Sequence, residues 1–206
     1  MELLSHDYCV VDTETTGGSA EFSRIIDIAA YHVRDGIVLG KFQSLLNPGR
    51  PIPPWITALT GIDDSMARHA PTFNEIAGDL RGFLEKGVFV AHNVNFDYRF
   101  VQCEYGRLGE TWERPKLCTV RLARRLYPEL PSRSLGNLCE HLMIDITDRH
   151  RAAGDAEATI YVLKHLLKKM TRDHGLENLE SLERFLKARG KKKTSSTECI
   201  RSYTSG

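Results

Sequence analysis

An α/β fold built on a mixed sheet is predicted by three features of the chain. Short, apolar, β-branched runs such as YCVVDTE (8–14) have the length and composition of buried strands. Longer runs such as PTFNEIAGDLRGFLEK (71–86) repeat apolar residues at helical spacing. Two apolar runs close together form a hairpin, and later runs alternate strand with helix, so antiparallel and parallel neighbours are expected in one sheet.

Each element follows in order. After the strand at 8–14, IIDIAAYHV (25–33) and GIVLGKFQSLL (36–46) read as two strands joined by the turn RDG, an antiparallel hairpin. NPGRPIPPW (47–55) is too rich in proline for regular structure. Phe73, Ile76, Leu80 and Phe83 or Leu84 then line one face of a helix over 71–86. GVFVAHN (87–93) is another short buried strand, followed by a helix from Phe96 to Leu108 and helical patterns at 118–127, 134–142 and 155–170. Past residue 186 the apolar periodicity stops, and five of the seven residues in 187–193 are Lys or Arg, which marks a basic, disordered tail or linker. No internal repeat is visible.

Composition narrows the function classes. With 206 residues, 41% hydrophobic and 27% charged, the chain has material for one globular domain and a remainder. A net charge of +1 neither demands nor excludes a polyanionic partner, so any electrostatic steering has to be local. Five cysteines without a C-x-x-C pair argue against a disulfide framework and a zinc knuckle and for a reducing compartment. No apolar run is long enough to cross a bilayer, so the expectation is a cytoplasmic protein with no membrane partner.

The acidic residues carry the chemistry. Side chains two apart on a strand share a face, about 6.5–7 Å apart, so Asp12 and Glu14 project together from the end of the first strand while Thr13 faces away. Such a pair is suited to a divalent cation, although one acidic pair at a strand end is commonly just solvated surface. Asp97 falls at the start of the helix after VAHNVNFDYRF (90–100), where a carboxylate is favoured by the helix dipole in any case. His150 and Asp155, in HRAAGDAEAT (150–159), are five apart and share no helical face, so a helix boundary between them is expected, supported by Gly154. His150 then lies in a loop and Asp155 in a first turn, free to converge.

D-x-E at a strand end, H-N-x-x-F-D before a mid-chain helix and H-x-x-x-x-D at the last long helix together resemble the three motifs of the DEDD exonuclease superfamily. The histidine in the third motif places the resemblance in the DEDDh branch of DnaQ-like nucleases, which includes proofreading subunits of bacterial DNA polymerase III. LTGIDDSM, PTF and the helix at 71–86 extend the resemblance, which covers roughly residues 6–170. Where the other branch carries a tyrosine, four residues before the last Asp, this chain has Arg151.

The resemblance implies a ribonuclease H-like mixed sheet flanked by helices, with an exonuclease domain over 1–175 and a C-terminal helical extension and basic tail over 176–206. It implies 3′→5′ hydrolysis of nucleic acid, DNA before RNA, using two divalent metal ions, Mg²⁺ or Mn²⁺. Asp12, Glu14, Asp97 and Asp155 are then the metal ligands, hard oxygen donors that suit those cations. His150 is the implied base, an imidazole able to take a proton near neutral pH, with His92 as runner-up. For His92, a hydrogen bond from the strand end to a neighbouring loop is the stronger expectation. Substrate contacts are implied for the backbone at Thr13, Thr15 and Thr16, and for His92, Asn93, Ile62 and Phe96; core packing is an equal expectation for the last two, and capping for Asn93. An RNA-trimming or oligonucleotide exonuclease and a catalytically silent binding module are the alternatives, the second disfavoured by five competent catalytic positions. A DNA polymerase or another replication or repair protein is the implied partner, although no clamp-binding segment is seen. KKKTSSTECIRSYTSG reads as a linker, so a domain cut from a longer polypeptide is also expected.

Overall fold

The computed structural model describes residues 2–188. A turn of 3-10 helix, Leu3–Ser5, leads into strand β1 (Tyr8–Thr15), which is followed by β2 (Ile25–Arg34) and β3 (Ile37–Leu45). Asp35 and Gly36 take left-handed φ values of 54° and 71°, the paired conformation of a tight hairpin turn. The remaining elements are α1 (Pro54–Thr60), α2 (Asp64–Ala67), α3 (Phe73–Leu84), β4 (Val88–Ala91), α4 (Asn95–Arg107), β5 (Lys116–Cys118), α5 (Thr119–Leu126), α6 (Leu135–Leu142), α7 (Ala152–His174) and α8 (Leu179–Lys187). No helix among the described residues is long and apolar enough to cross a membrane.

The sheet order is β3-β2-β1-β4-β5. β2 runs antiparallel to β1 and β3, whereas β4 runs parallel to β1 and β5. The mixed sheet predicted from the sequence is therefore present, with β1 at its centre. Alternation along β1 divides the core. Tyr8 and Val10 join Leu122, Leu138, Leu163 and Leu166 of α5–α7 on one face, while Cys9 and Val11 join Phe73, Leu80, Phe100 and Val101 of α3 and α4 on the other.

Several boundaries differ from the sequence reading. The proline-rich stretch stays irregular only to Pro53, because proline is accepted in the first turn of a helix and Pro54 opens α1. α1, α2 and β5 are too short to give a periodic signal of their own. α7 starts at Ala152, so Gly154 lies inside the helix rather than marking its edge. The carbonyl oxygens of Thr147 and Asp148 occupy the space a Cβ would need, so this glycine lets the preceding loop close onto the helix. α8 buries its Leu182 in the same cluster as α5 and α7. The basic tail expected at the end of the chain lies, from residue 189 on, outside the described residues.

Candidate active site

The acids meet at the C-terminal end of β1. Asp12 and Glu14 occur two apart on the strand, on the side that carries Tyr8 and Val10 and faces α7. Thr13 points the other way and meets α4. Pairing between β1 and β4 extends to Val10↔Val90, and β4 itself ends at Ala91, so the edge of β1 beyond that point has no strand neighbour. Asp97, in the first turn of α4 and only 3% exposed, takes that place. Its Oδ1 accepts from the Thr13 N–H at 3.0 Å and from the Thr13 hydroxyl at 2.8 Å.

The third contributor is the N-terminus of α7. Asp155 sits in the first turn, and its Oδ2 accepts the His150 N–H at 3.1 Å across the preceding loop. His150 adopts φ 61°, a left-handed conformation uncommon for a residue with a side chain, which turns the chain sharply into the helix. Glu14, His150 and Asp155 each offer one ligating atom within 4.8 Å of the others.

Crowding the acids disfavours their charged forms. Burial, reinforced by Asp155, Asp27 and Asp97, pushes Glu14 up to about 7. Burial also pushes Asp97 up to about 7, although the Thr13 hydroxyl and N–H oppose the shift. Asp12 is raised well above the usual carboxylate range by burial and then by Asp97, Asp155 and Glu14. Burial raises Asp155 as well, against the His150 N–H. The Asp155 Oδ1 is buried with no hydrogen-bond partner. A divalent cation fits this set: it supplies the missing partner for that oxygen and offsets the mutual repulsion, and every side chain offered is a hard oxygen donor or an imidazole.

The other predicted residues have distinct settings. Both ring nitrogens of His92 are engaged, Nδ1 with the Thr119 hydroxyl at 2.9 Å and Nε2 with the Arg133 carbonyl at 2.8 Å. Burial lowers its pKa, and Nε2 must carry the proton that the carbonyl accepts. His92 thus binds a neighbouring loop and is not poised as a base. Asn93 is exposed at φ 71°, but the cap position of α4 falls on Val94. Phe96 is half-buried, its ring 4.8 Å from that of Phe100. Ile62 is 0% exposed among Ile26, Ile52 and Ile56, so of its two readings core packing holds, and a ligand contact is corrected for want of surface. The Thr13 N–H is committed to Asp97. The Thr15 hydroxyl donates to the Gly17 carbonyl and the Thr16 hydroxyl accepts the Arg24 N–H, so these two threonines shape the loop beyond β1.

Sequence reasoning missed two groups. Asp27, fully buried on β2, pairs through Oδ2 with Arg151 Nε at 3.3 Å. An acid inside the apolar run IIDIAA was the available signal. Glu104, 1% exposed on α4, holds Arg24 Nε at 2.8 Å and the Ile25 N–H at 3.2 Å. Arg107 approaches the same carboxylate at 3.3 Å and donates to the Ala20, Glu21 and Ser23 carbonyls, bracing the loop that leaves the site.

Comparison with known proteins gives a consistent result. The RNase_T family model, described as "Exonuclease", matches residues 9–163. "DNA polymerase III PolC-type" of Bacillus subtilis (strain 168) is 40% identical over 168 residues, covering 81% of this chain and 12% of the relative. The protein of the same description from Clostridium perfringens (strain 13 / Type A) is 37% identical over 186 residues, covering 90% of this chain and 13% of the relative. The chain thus spans only about an eighth of the length of these curated relatives. Among solved structures, "Exonuclease X in complex with 5' overhanging duplex DNA" superposes with a TM-score of 0.70 at 26% identity, covering 87% of this chain and 99% of that one. E. coli Exonuclease I in complex with a dT13 oligonucleotide gives a TM-score of 0.74 at 21% identity, covering 87% of this chain and 46% of that one, a likeness of fold.

Proposed function

This chain belongs to the RNase_T exonuclease family, and from that premise we propose that it hydrolyses DNA from the 3′ end, releasing 5′-mononucleotides from single-stranded or frayed termini. The observation that carries the reading is the grouping of Glu14, Asp155 and His150 with ligating atoms within 4.8 Å of one another, where Asp12 and Asp97 act on the same acids through their charge.

Asp12, Glu14, Asp97 and Asp155 would hold two divalent cations, Mg²⁺ or Mn²⁺. When bound, these supply Lewis-acid stabilisation of the charge that develops on the phosphate in an in-line displacement. The chain's residues do the rest. His150 takes a proton from the attacking water, whose oxygen forms the new bond to phosphorus. The bond to the 3′ oxygen of the penultimate nucleotide breaks, and that oxygen acquires a proton from solvent. Asp97 is held for its task by Thr13, so its position does not depend on the cation. The loop from Thr15 to Arg24, braced by Glu104 and Arg107, and the exposed Asn93 and half-buried Phe96 offer the surface for the terminal nucleotide, which must be unpaired to reach the acids.

Likeness to PolC-type polymerases supports a further part of the reading, that the domain corrects 3′ ends alongside a DNA polymerase in the cytoplasm. The test is digestion of end-labelled single-stranded DNA, duplex DNA and RNA with Mg²⁺ or Mn²⁺. A 3′→5′ ladder on single-stranded DNA, slowed by a 3′ phosphate and abolished by EDTA, is expected. Efficient cutting of a closed circular strand would refute the assignment.

A further inference from the structure

We propose that Asp27 and Arg151 form a latch that holds the His150 loop and the start of α7 against the sheet, setting both His150 and Asp155 opposite Glu14. Asp27 pairs in register with Glu14 across β2 and β1, so the two side chains share one face of the sheet. A fully buried acid placed there adds to the repulsion already acting on Asp12 and Glu14. Burial pushes its pKa up, and Arg151, 3.3 Å away, opposes that shift together with the Ala152 and Ile28 N–H groups, so the acid is held by a partner and not left alone.

The place of Arg151 in the chain gives the pair its role. Arg151 is the N-cap residue of α7, and its side chain makes no cap bond to its own helix. It directly follows His150 and lies four before Asp155, and its carbonyl accepts the Asp155 N–H at 3.1 Å. The preceding loop is strained, with Asp148 at φ 51° and His150 at φ 61°. Such conformations last only where the surroundings over-determine them. The ties visible here are the His150 N–H bond to Asp155, the Arg151 N–H bond to the Asp148 carbonyl, and the Asp27–Arg151 pair. Of the three, only the last reaches the sheet that carries Asp12 and Glu14; the first turn of α7 is also tied there by the Ala152 N–H on Asp27 and by the Tyr31 hydroxyl, which donates to the Ala153 carbonyl at 3.4 Å, but Arg151 makes the side-chain tie next to His150. Arg151 is therefore a positioning residue acting through its neighbours.

The activity arm of the test rests on the nuclease reading; a second arm does not. In the first, single-turnover hydrolysis of 3′-labelled single-stranded DNA at saturating Mn²⁺ is compared for wild type, Arg151→Ala, His150→Ala and the double variant. Arg151→Ala is expected to cost about tenfold or more while His150 is present, in the range usual for outer-shell residues, and almost nothing once His150 is gone. In the second, Mn²⁺ is titrated without substrate and read as the rise in melting temperature. Arg151→Ala and Asp27→Asn should both need several-fold more Mn²⁺ for the half-maximal rise, and Arg151→Lys should recover part of the loss. An equal cost of Arg151→Ala in both His150 backgrounds, or an unchanged half-point in Arg151→Ala, overturns the latch. A wild-type protein that shows the Mn²⁺ response but no hydrolysis would overturn the nuclease reading and leave the second arm to decide.

Discussion

His150 and His92 differ in what their nitrogens already do. The His92 ring is committed at both ends to Thr119 and Arg133, whereas His150 lies beside Glu14 and Asp155 at the head of α7. His150→Ala is expected to lower kcat by about 10²–10⁴-fold, the usual worth of a positioned proton acceptor, with the half-saturating metal concentration changed much less. His92→Ala should instead lower the melting temperature by unpairing the Arg133 carbonyl and cost much less in rate. Rate and melting measured on both variants check this, and a larger kinetic loss for His92→Ala would reverse the roles. At this scale the acids and His150 were legible because their chemistry is unusual for their setting. Asp27 and Ile62 were not, because a residue's partners across a sheet or in a satellite core leave no mark in its own neighbourhood of sequence.

Between residue and molecule lies the loop from Gly17 to Arg24, irregular in backbone yet tied on both flanks. Thr16 and Arg24 close its neck through Thr16 N–H to Arg24 carbonyl at 2.9 Å, and Glu104 with Arg107 fasten it to α4. Glu104→Ala removes the shared acceptor of two arginines that are themselves about a quarter exposed. A stability loss of about 2–3 kcal/mol is expected, below the full cost of breaking a buried pair because water can reach the guanidinium groups. Since the loop continues directly from Thr15 and Thr16 beside the acids, KM should rise more than kcat falls; Glu104→Gln should be milder in both. Urea unfolding and steady-state kinetics test the pair of effects. Elements of this scale divided sharply in legibility. Long amphipathic helices such as α3 announced themselves by period, whereas β5, three residues long, is a strand only because β4 pairs with it.

For the whole molecule, the raised acid pKa values couple stability to pH and to metal. Glu14 and Asp97 titrate near 7 in the folded chain, against ordinary values of 4.5 and 3.8. Between those limits the folded form binds more protons than the unfolded form, so stability falls as pH rises from about 4 to about 7 and the lost part stays lost above. Metal competes with those protons, so the melting rise caused by Mn²⁺ should be larger at pH 8 than at pH 5.5. Asp12→Asn should raise the metal-free melting temperature at pH 8 by relieving repulsion, while abolishing cleavage and most of the metal response. Each kcal/mol of relief corresponds to about 2–4 °C in a domain of this size. Calorimetry at the two pH values with and without Mn²⁺ decides it; a metal-free variant no more stable than wild type would show that the acids do not repel. The mixed sheet was legible from alternating patterns. Its order, with β1 central and β4 beyond it, was not, because strand neighbours are chosen by packing over distances that no local window spans.

The acids arrive from positions 12, 97 and 155, on elements that meet only when α7 has packed across the sheet. A segment that stops short of residue 150 therefore carries the acids of β1 and α4 but neither His150 nor Asp155. One helix thus closes two things at once: α7 packs much of the core against β1 and in the same movement brings Asp155 and His150 to Glu14, so a misplaced α7 leaves the acids of β1 and α4 without their counterparts.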